Sequence, residues 1–267
     1  MLENITLGQY YPADSVVHAL DPRVKIVLLV LFIVAVFMAG DLLAFVPIVL
    51  FLVFACKASK LPFKQFVKGL KPLRFILIFT FLLNLFFTTG TTPLVNLGFT
   101  TLTVEGTLNA VRFSLRLIFL VLGSSLLTLT TAPVTLTDGL ERLLSPLRVI
   151  HFPAHELAMM MTIALRFIPT LLEEADKIMK AQAARGADFE TGNLLQRAKA
   201  MVPLLVPLFI SAFRRAGELA MAMEARCYHG GEGRTRLHVL KMQKNDYAAL
   251  LLMALLIALV ALEGLLV

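Results

Sequence analysis

Five stretches of this chain, near residues 23–40, 42–57, 72–89, 106–130 and 246–266, are apolar over roughly the length a membrane helix needs. A hydrocarbon core of about 30 Å takes around 20 apolar residues, and fewer where flanking cations reach outward to the headgroups. Hydrophobic residues make up 58% of the chain and charged ones 16%, against averages of roughly 45–50% and about 25% in soluble proteins. A water-soluble fold, a disordered chain, collagen and a coiled coil are all excluded. Cys56 and Cys227 lie far apart and in no CxxC spacing, so neither a disulfide framework nor a structural zinc site is available. The reading is an all-α integral membrane protein with about five transmembrane helices.

The charge distribution gives the threading. Of 25 Lys and Arg, six (Lys57, Lys60, Lys64, Lys68, Lys71, Arg74) lie between the second and third apolar runs. Fifteen lie between residues 132 and 244, and none after Lys244. Cations in alternate connections are what the positive-inside rule predicts. They form no contiguous patch, which excludes nucleic acid as a partner. The amino terminus and residues 132–244 are expected on the cytoplasmic side of the cell membrane, in contact with membrane lipid, and the carboxyl terminus outside. Asp21 and Pro22 suit the N-cap and first turn of the first span. Gly40-Asp41 should turn a tight hairpin. Hydrophobicity resumes directly after it, which argues against a cleaved signal peptide. Arg112 and Arg116, one turn apart in the fourth span, have two readings. They could be functional intramembrane cations, or they could sit at the outer interface and bind phosphates or helix carbonyls.

Three regions follow: a four-span membrane region (1–131), a cytoplasmic or interfacial helical region (132–244) and a final transmembrane helix (245–267). The middle region should hold helices near 136–145, 153–185 and 193–227, the first ended by Pro146 and the third opened by Asn193 with Gln196 three residues on. The two long helices share a plan, with an apolar first half containing Pro169, or Pro203 and Pro207, and then a charged half. Each ends in a related pentapeptide, Ala181–Arg185 before Gly186 and Ala222–Arg226 before Cys227. Small residues admit a close-packed partner, and a terminal arginine is favoured by the helix dipole and can bind a partner's carboxylates or carbonyls. Plain C-capping is the alternative, with Gly186 as the left-handed residue.

These ends, with Gly8-Gln9-Tyr10 and Leu20-Asp21-Pro22-Arg23 before the first span, make the chain resemble the transmembrane T component of energy-coupling-factor transporters, the CbiQ/EcfT family. The resemblance covers essentially the whole length. It implies two long coupling helices that cross, each arginine docking on one of two ABC-type ATPase subunits, and a substrate-binding S component, usually for a vitamin, on the apolar side. Ala184, Arg185, Gly186, Ala225 and Arg226 would then dock ATPases. Met159, Met160, Met161, Leu165, Leu204, Leu205 and Phe209 would dock the S component. The chain departs from the pattern at Cys227, where glycine is usual, which leaves open whether the second helix keeps the left-handed cap.

No GxxxxGK[ST] phosphate loop occurs, and His155-Glu156 is not followed by the histidine of a zinc helix. Gly231-Glu232-Gly233 reads as a turn. The five histidines, His18, His151, His155, His229 and His238, show no ligand spacing. No metal, cofactor or catalytic constellation is expected, and ATP hydrolysis would belong to partners. Eight of eleven methionines fall within 132–244, either as adaptable docking surface or as membrane-buried filler. A cobalt or nickel importer subunit of the same family, or a self-sufficient secondary transporter, are the rival functions; the latter would show broken helices with charges converging at mid-membrane.

Overall fold

The computed structural model describes residues 10–88, 92–96, 101–187, 193–230 and 240–266. Gly8-Gln9, Gly231-Glu232-Gly233 and His238 lie outside them. The chain is predominantly helical: α1 (Val16–Ala19), α2 (Pro22–Met38), α3 (Phe45–Ala58), α4 (Phe63–Lys68), α5 (Arg74–Phe87), α6 (Val104–Thr130), α7 (Pro133–Leu144), α8 (Ala154–Ala184), α9 (Leu194–Ala225) and α10 (Lys244–Leu266). A 3-10 turn, Ser145–Ile150, follows α7, so the helix stops one residue before the serine that precedes Pro146. The sequence pattern did not show the antiparallel hairpin β1 (Pro93–Asn96) and β2 (Thr101–Thr103), which pairs Asn96 with Thr101 and carries an irregularity between Pro93 and Val95. The turn after α2 is also longer than the two residues expected, because α3 begins only at Phe45.

The described residues form two compact units, one from those in 10–140 with 240–266 and one from those in 141–230. The larger unit is a helical bundle around α2. Phe32, Ala35, Val36 and Ala39 of α2 meet Ala44, Phe45, Ile48 and Leu52 of the α3 side, Phe119 and Leu129 of α6, and Met253, Leu256 and Val260 of α10. Close approach is enforced at Gly123, where a Cβ would lie 2.5 Å from Phe32 Cε1. Three helices, α6, α8 and α10, are long and apolar enough to cross a membrane. By contrast α3 and α5 are apolar but only 14 residues each, about 21 Å at 1.5 Å per residue.

Helix ends buried by protein need partners for their unpaired backbone groups, and the bundle meets this with two buried charges. Asp246, 1% exposed, is the third residue of α10. Its Oδ2 accepts from the Gln243 backbone N–H at 2.6 Å, reaching back as a capping-box carboxylate does. Its Oδ1 accepts at 2.8 Å from the N–H of Asp21, the N-cap of α2. One anion therefore serves two positive helix ends. Lys25 does the converse: Nζ donates to the carbonyls of His18 and of Thr130, the last residue of α6, each at 3.0 Å. Arg23 pairs with Asp21 at 2.6 Å and donates to the Leu240 carbonyl at 3.3 Å.

At the opposite end of α2, Arg112 pairs with Asp41, and Arg116 donates to the Ala39 carbonyl at 2.9 Å. Its guanidinium also lies 5.4 Å from the Phe37 ring centroid and 5.5 Å from that of Phe113. Arg116 thus binds a helix-end carbonyl, as one of the two readings expected, whereas Arg112 binds a carboxylate that neither reading named, and both contacts hold the α2–α3 turn. Asp246→Ala should strand the buried N–H of Asp21 and the part-buried N–H of Gln243 and cost about 2–4 kcal/mol, from roughly 1–3 kcal/mol for the buried group and less for the one water can reach. Asp246→Asn keeps one acceptor and should cost about half as much. Thermal unfolding of the purified chain in detergent measures both.

Candidate functional site

The smaller unit is built on the two long helices α8 and α9. Both run through their prolines, Pro169 in α8 and Pro203 and Pro207 in α9, although each lacks the N–H for its backbone bond. Among the described residues, the polar contacts between the helices meet at one point. Ser211 of α9 donates from Oγ to Glu174 Oε1 of α8 at 2.7 Å, and Arg215 pairs with the other oxygen of the same carboxylate. Ser211 and Ala175 are buried there, small side chains that let the helices approach. Before α8, His155 Nδ1 lies 2.9 Å from Glu141 Oε1, joining the start of α8 to the end of α7.

Beyond that contact the two helices end identically. In α8, the N–H of Gly186 donates to Ala183 O and that of Ala187 to Gln182 O, each at 3.0 Å. In α9, the N–H of Cys227 donates to Glu224 O at 2.9 Å and that of Tyr228 to Met223 O at 3.1 Å. Both are Schellman motifs: the residue after the cap bonds back three positions and the next one five. Gly186 has φ +91° and Cys227 φ +56°. The open question at Cys227 is thereby answered, since cysteine takes the left-handed cap that glycine would take. Such a conformation costs a non-glycine residue roughly 1–2 kcal/mol.

Arg185 is the C-cap of α8, and Arg226 holds the equivalent place after Ala225, the last residue of α9. Both guanidinium groups are exposed, as are Ala184, Gly186 and Ala225. Glu174 and Arg215 stand 41 positions apart, as do Arg185 and Arg226. Each arginine is thus three turns beyond the inter-helix contact, about 16 Å along its own helix. Sequence reasoning found the repeated ends but missed the contact between them. The available signal was an acid and a base at the same place in the two copies.

The residues expected to dock an S component are divided by the structure. Met160, Met161, Leu205 and Phe209 are exposed, whereas Met159, Leu165 and Leu204 are half-buried. The exposed apolar face of α9 extends further than expected, through Val202, Leu205, Val206, Phe209, Ile210 and Phe213 at spacings of one to four. Phe209 and Phe213 stack with centroids 6.5 Å apart. A stripe of that size on one helix marks contact with lipid or another protein. Among the described residues no three His, Cys, Asp or Glu side chains are grouped as a metal ion requires.

The larger unit is an apolar bundle in which side chains satisfy the starts of α2 and α10, and the smaller unit carries long helices with exposed apolar residues and exposed arginines at their ends. Comparison with known proteins gives the family. The CbiQ model, described as a cobalt transport protein, matches residues 13–237, and the chain belongs to that family. It is 55% identical over 250 residues to the energy-coupling factor transporter transmembrane protein EcfT of Clostridium kluyveri, covering 93% of each chain. It is 54% identical over 261 residues to the protein of the same name from Acidaminococcus fermentans, covering 98% of this chain and 97% of that one. The Bacillus subtilis protein of that name is 47% identical over 259 residues, at 97% and 98% coverage.

The cap geometry gives a direct test. Cys227→Gly should relieve the left-handed strain, with part of the gain offset by glycine's greater unfolded-state entropy. A net gain of about 0.5–1 kcal/mol is expected. Amide hydrogen exchange in the last turn of α9 should slow by about two- to fivefold, while Gly186→Ala should accelerate it in α8.

Proposed function

We propose that the chain is the scaffold and coupling subunit of an energy-coupling-factor importer for a vitamin or other micronutrient. In this reading two cytoplasmic ABC-type ATPases hydrolyse ATP, an S component binds the substrate, and the chain links them without catalysing anything itself. The observation that carries the reading is the pair of identical helix ends, each placing an exposed arginine about 16 Å beyond one shared contact. A single helix cap needs no partner. Two matched ones, equally distant from Glu174 and Arg215, suit two similar protein surfaces. The relatives' name, energy-coupling factor transporter transmembrane protein, supports the same assembly. The family description as a cobalt transport protein supports a second reading, a cobalt or nickel importer subunit with the same coupling parts.

Each arginine would enter an ATPase groove and bind carbonyls or carboxylates with its planar fork. The exposed stripe of α9, with Met160 and Met161 of α8, would carry the S component. Arg185→Glu and Arg226→Glu should each weaken ATPase co-purification or uncouple hydrolysis from uptake, because a carboxylate would face both acceptors and its own helix's negative end. The double variant should be clearly worse, as separated sites usually add. Simple capping instead predicts a stability loss of roughly 0.3–1 kcal/mol per site with normal transport. Leu205→Asp in the same assay should release the S component and keep the ATPases. Intact complexes with normal uptake in the double arginine variant would sink the coupling role.

The proposed topology takes α2, α3, α5, α6 and α10 as spans. It places α8 and α9 at the cytoplasmic surface, since α8 carries Glu173, Glu174, Asp176 and Lys177 in its second half. Cys227 is exposed and Cys56 buried. An impermeant thiol reagent should therefore label Cys227 in inside-out vesicles and leave Cys56 unmodified. Labelling of Cys227 in intact cells would reverse the orientation.

A further inference from the structure

The connection from α3 to α5 carries charge that no ion pair among the described residues neutralises. Between Asp41 and Glu105 the chain has no acidic residue, yet Lys57, Lys60, Lys64, Lys68, Lys71 and Arg74 fall within 18 positions. All six are exposed, and among the described residues none forms an ion pair. Like charges at this density repel one another, so in isolation the arrangement is unfavourable by itself. It becomes favourable only beside a surface of the opposite sign.

The segment is nonetheless held firmly. Phe66 of α4 is 3% exposed and belongs to the bundle core, as does Leu61. Gly69 seats against α6, where an added Cβ would lie 2.5 Å from Ser125 Oγ. Lys64 and Lys68, four residues apart, share the outward face of α4. Lys60 is more telling. Its φ is +53°, the left-handed conformation that ends α3 and that glycine adopts at no steric cost. A lysine at such a position accepts strain, a signal of function when the surroundings hold it there.

Apolar groups adjoin these cations. Phe63 is 69% exposed beside Lys64, and Phe75, directly after Arg74, is 77% exposed and stacks on Phe79 with centroids 6.2 Å apart. Ala58, between Lys57 and Lys60, lines an apolar cavity with Leu28, Phe54, Leu126 and Leu252. Cations, exposed aromatic rings and an apolar recess at one end of a helical bundle match a phospholipid, with its anionic head and acyl chains.

We propose that the α3–α5 connection is a binding platform for anionic phospholipid, the lysines and Arg74 receiving headgroup phosphates and Phe63 and Phe75 entering the acyl boundary. Polybasic segments near a membrane gain from each cation in this way, and the gain is screened by salt.

The test uses the full chain purified in a neutral detergent. Phosphatidylglycerol, phosphatidylcholine and inorganic phosphate are titrated separately, with retained lipid counted by native mass spectrometry and unfolding followed by temperature. Phosphatidylglycerol should be retained and raise the unfolding temperature, and 0.5 M salt should reverse this. Phosphatidylcholine should bind at least tenfold more weakly. Free phosphate, lacking acyl chains, should give no shift. K60Q/K64Q/K68Q/K71Q should lose at least tenfold in phosphatidylglycerol affinity. A control with equal charge loss elsewhere, K177Q/K180Q/K241Q/K244Q, should retain it. Equal binding of the two lipids by the unaltered chain would overturn the proposal without recourse to any variant. So would an equal shift with free phosphate. Unchanged lipid retention in the first variant, with loss of a co-purifying protein instead, would assign the platform to a protein partner and overturn it as well.

Discussion

The buried carboxylate of Asp246 is the contact on which the helical bundle depends. A helix start enclosed by protein presents N–H groups that water cannot reach. Two such starts, those of α2 and α10, share this one acid, through bonds of 2.8 Å to Asp21 and 2.6 Å to Gln243. Lys25 supplies the opposite charge to the ends of α1 and α6. Dipole and ion thus agree in sign at all four helix ends. The result fixes residues 21–25, 129–130 and 240–246 together.

The same physics solves the free ends differently. At the tips of α8 and α9 the orphan carbonyls are met by the backbone itself, through a turn that needs one left-handed residue. Gly186 takes that conformation without cost and Cys227 against it. Keeping the turn despite the less suitable residue means the two tips present their arginines on turns with the same hydrogen-bond pattern. Side-chain capping would have left the guanidinium direction dependent on neighbours that differ between the copies.

Much of this was legible in sequence because it is local. Apolar length located α2, α3, α5, α6 and α10; the prolines and small residues placed α8 and α9; Asp21-Pro22 marked a helix start that the structure contains. What sequence withheld were pairings across long separations. Asp246 could be read as an N-terminal acid on the last helix, but not as the partner of a backbone group 225 positions away. Arg112 looked unmatched because its partner, Asp41, lies in a turn 71 positions earlier. The strands at 93–96 and 101–103 escaped because their pairing needs the two segments together, and neither is long enough to show alternation.

For the coupling function proposed here, the contact at Glu174 sets the mechanics. The named polar contacts between α8 and α9 meet there, and the faces on either side are apolar or exposed. In that coupling reading, rotation of one helix against the other would turn about this contact. An arm of about 16 Å converts a rotation of roughly 10° into a tip displacement of about 3 Å. That is the length of a hydrogen bond, enough to make or release an arginine contact on a partner. Moving the contact nearer the tips would shorten the stroke, and moving it farther would demand more torque for the same load. Three helical turns beyond a single ion pair lets a modest change in a nucleotide-binding partner travel along rigid backbone rather than through a chain of side-chain rearrangements.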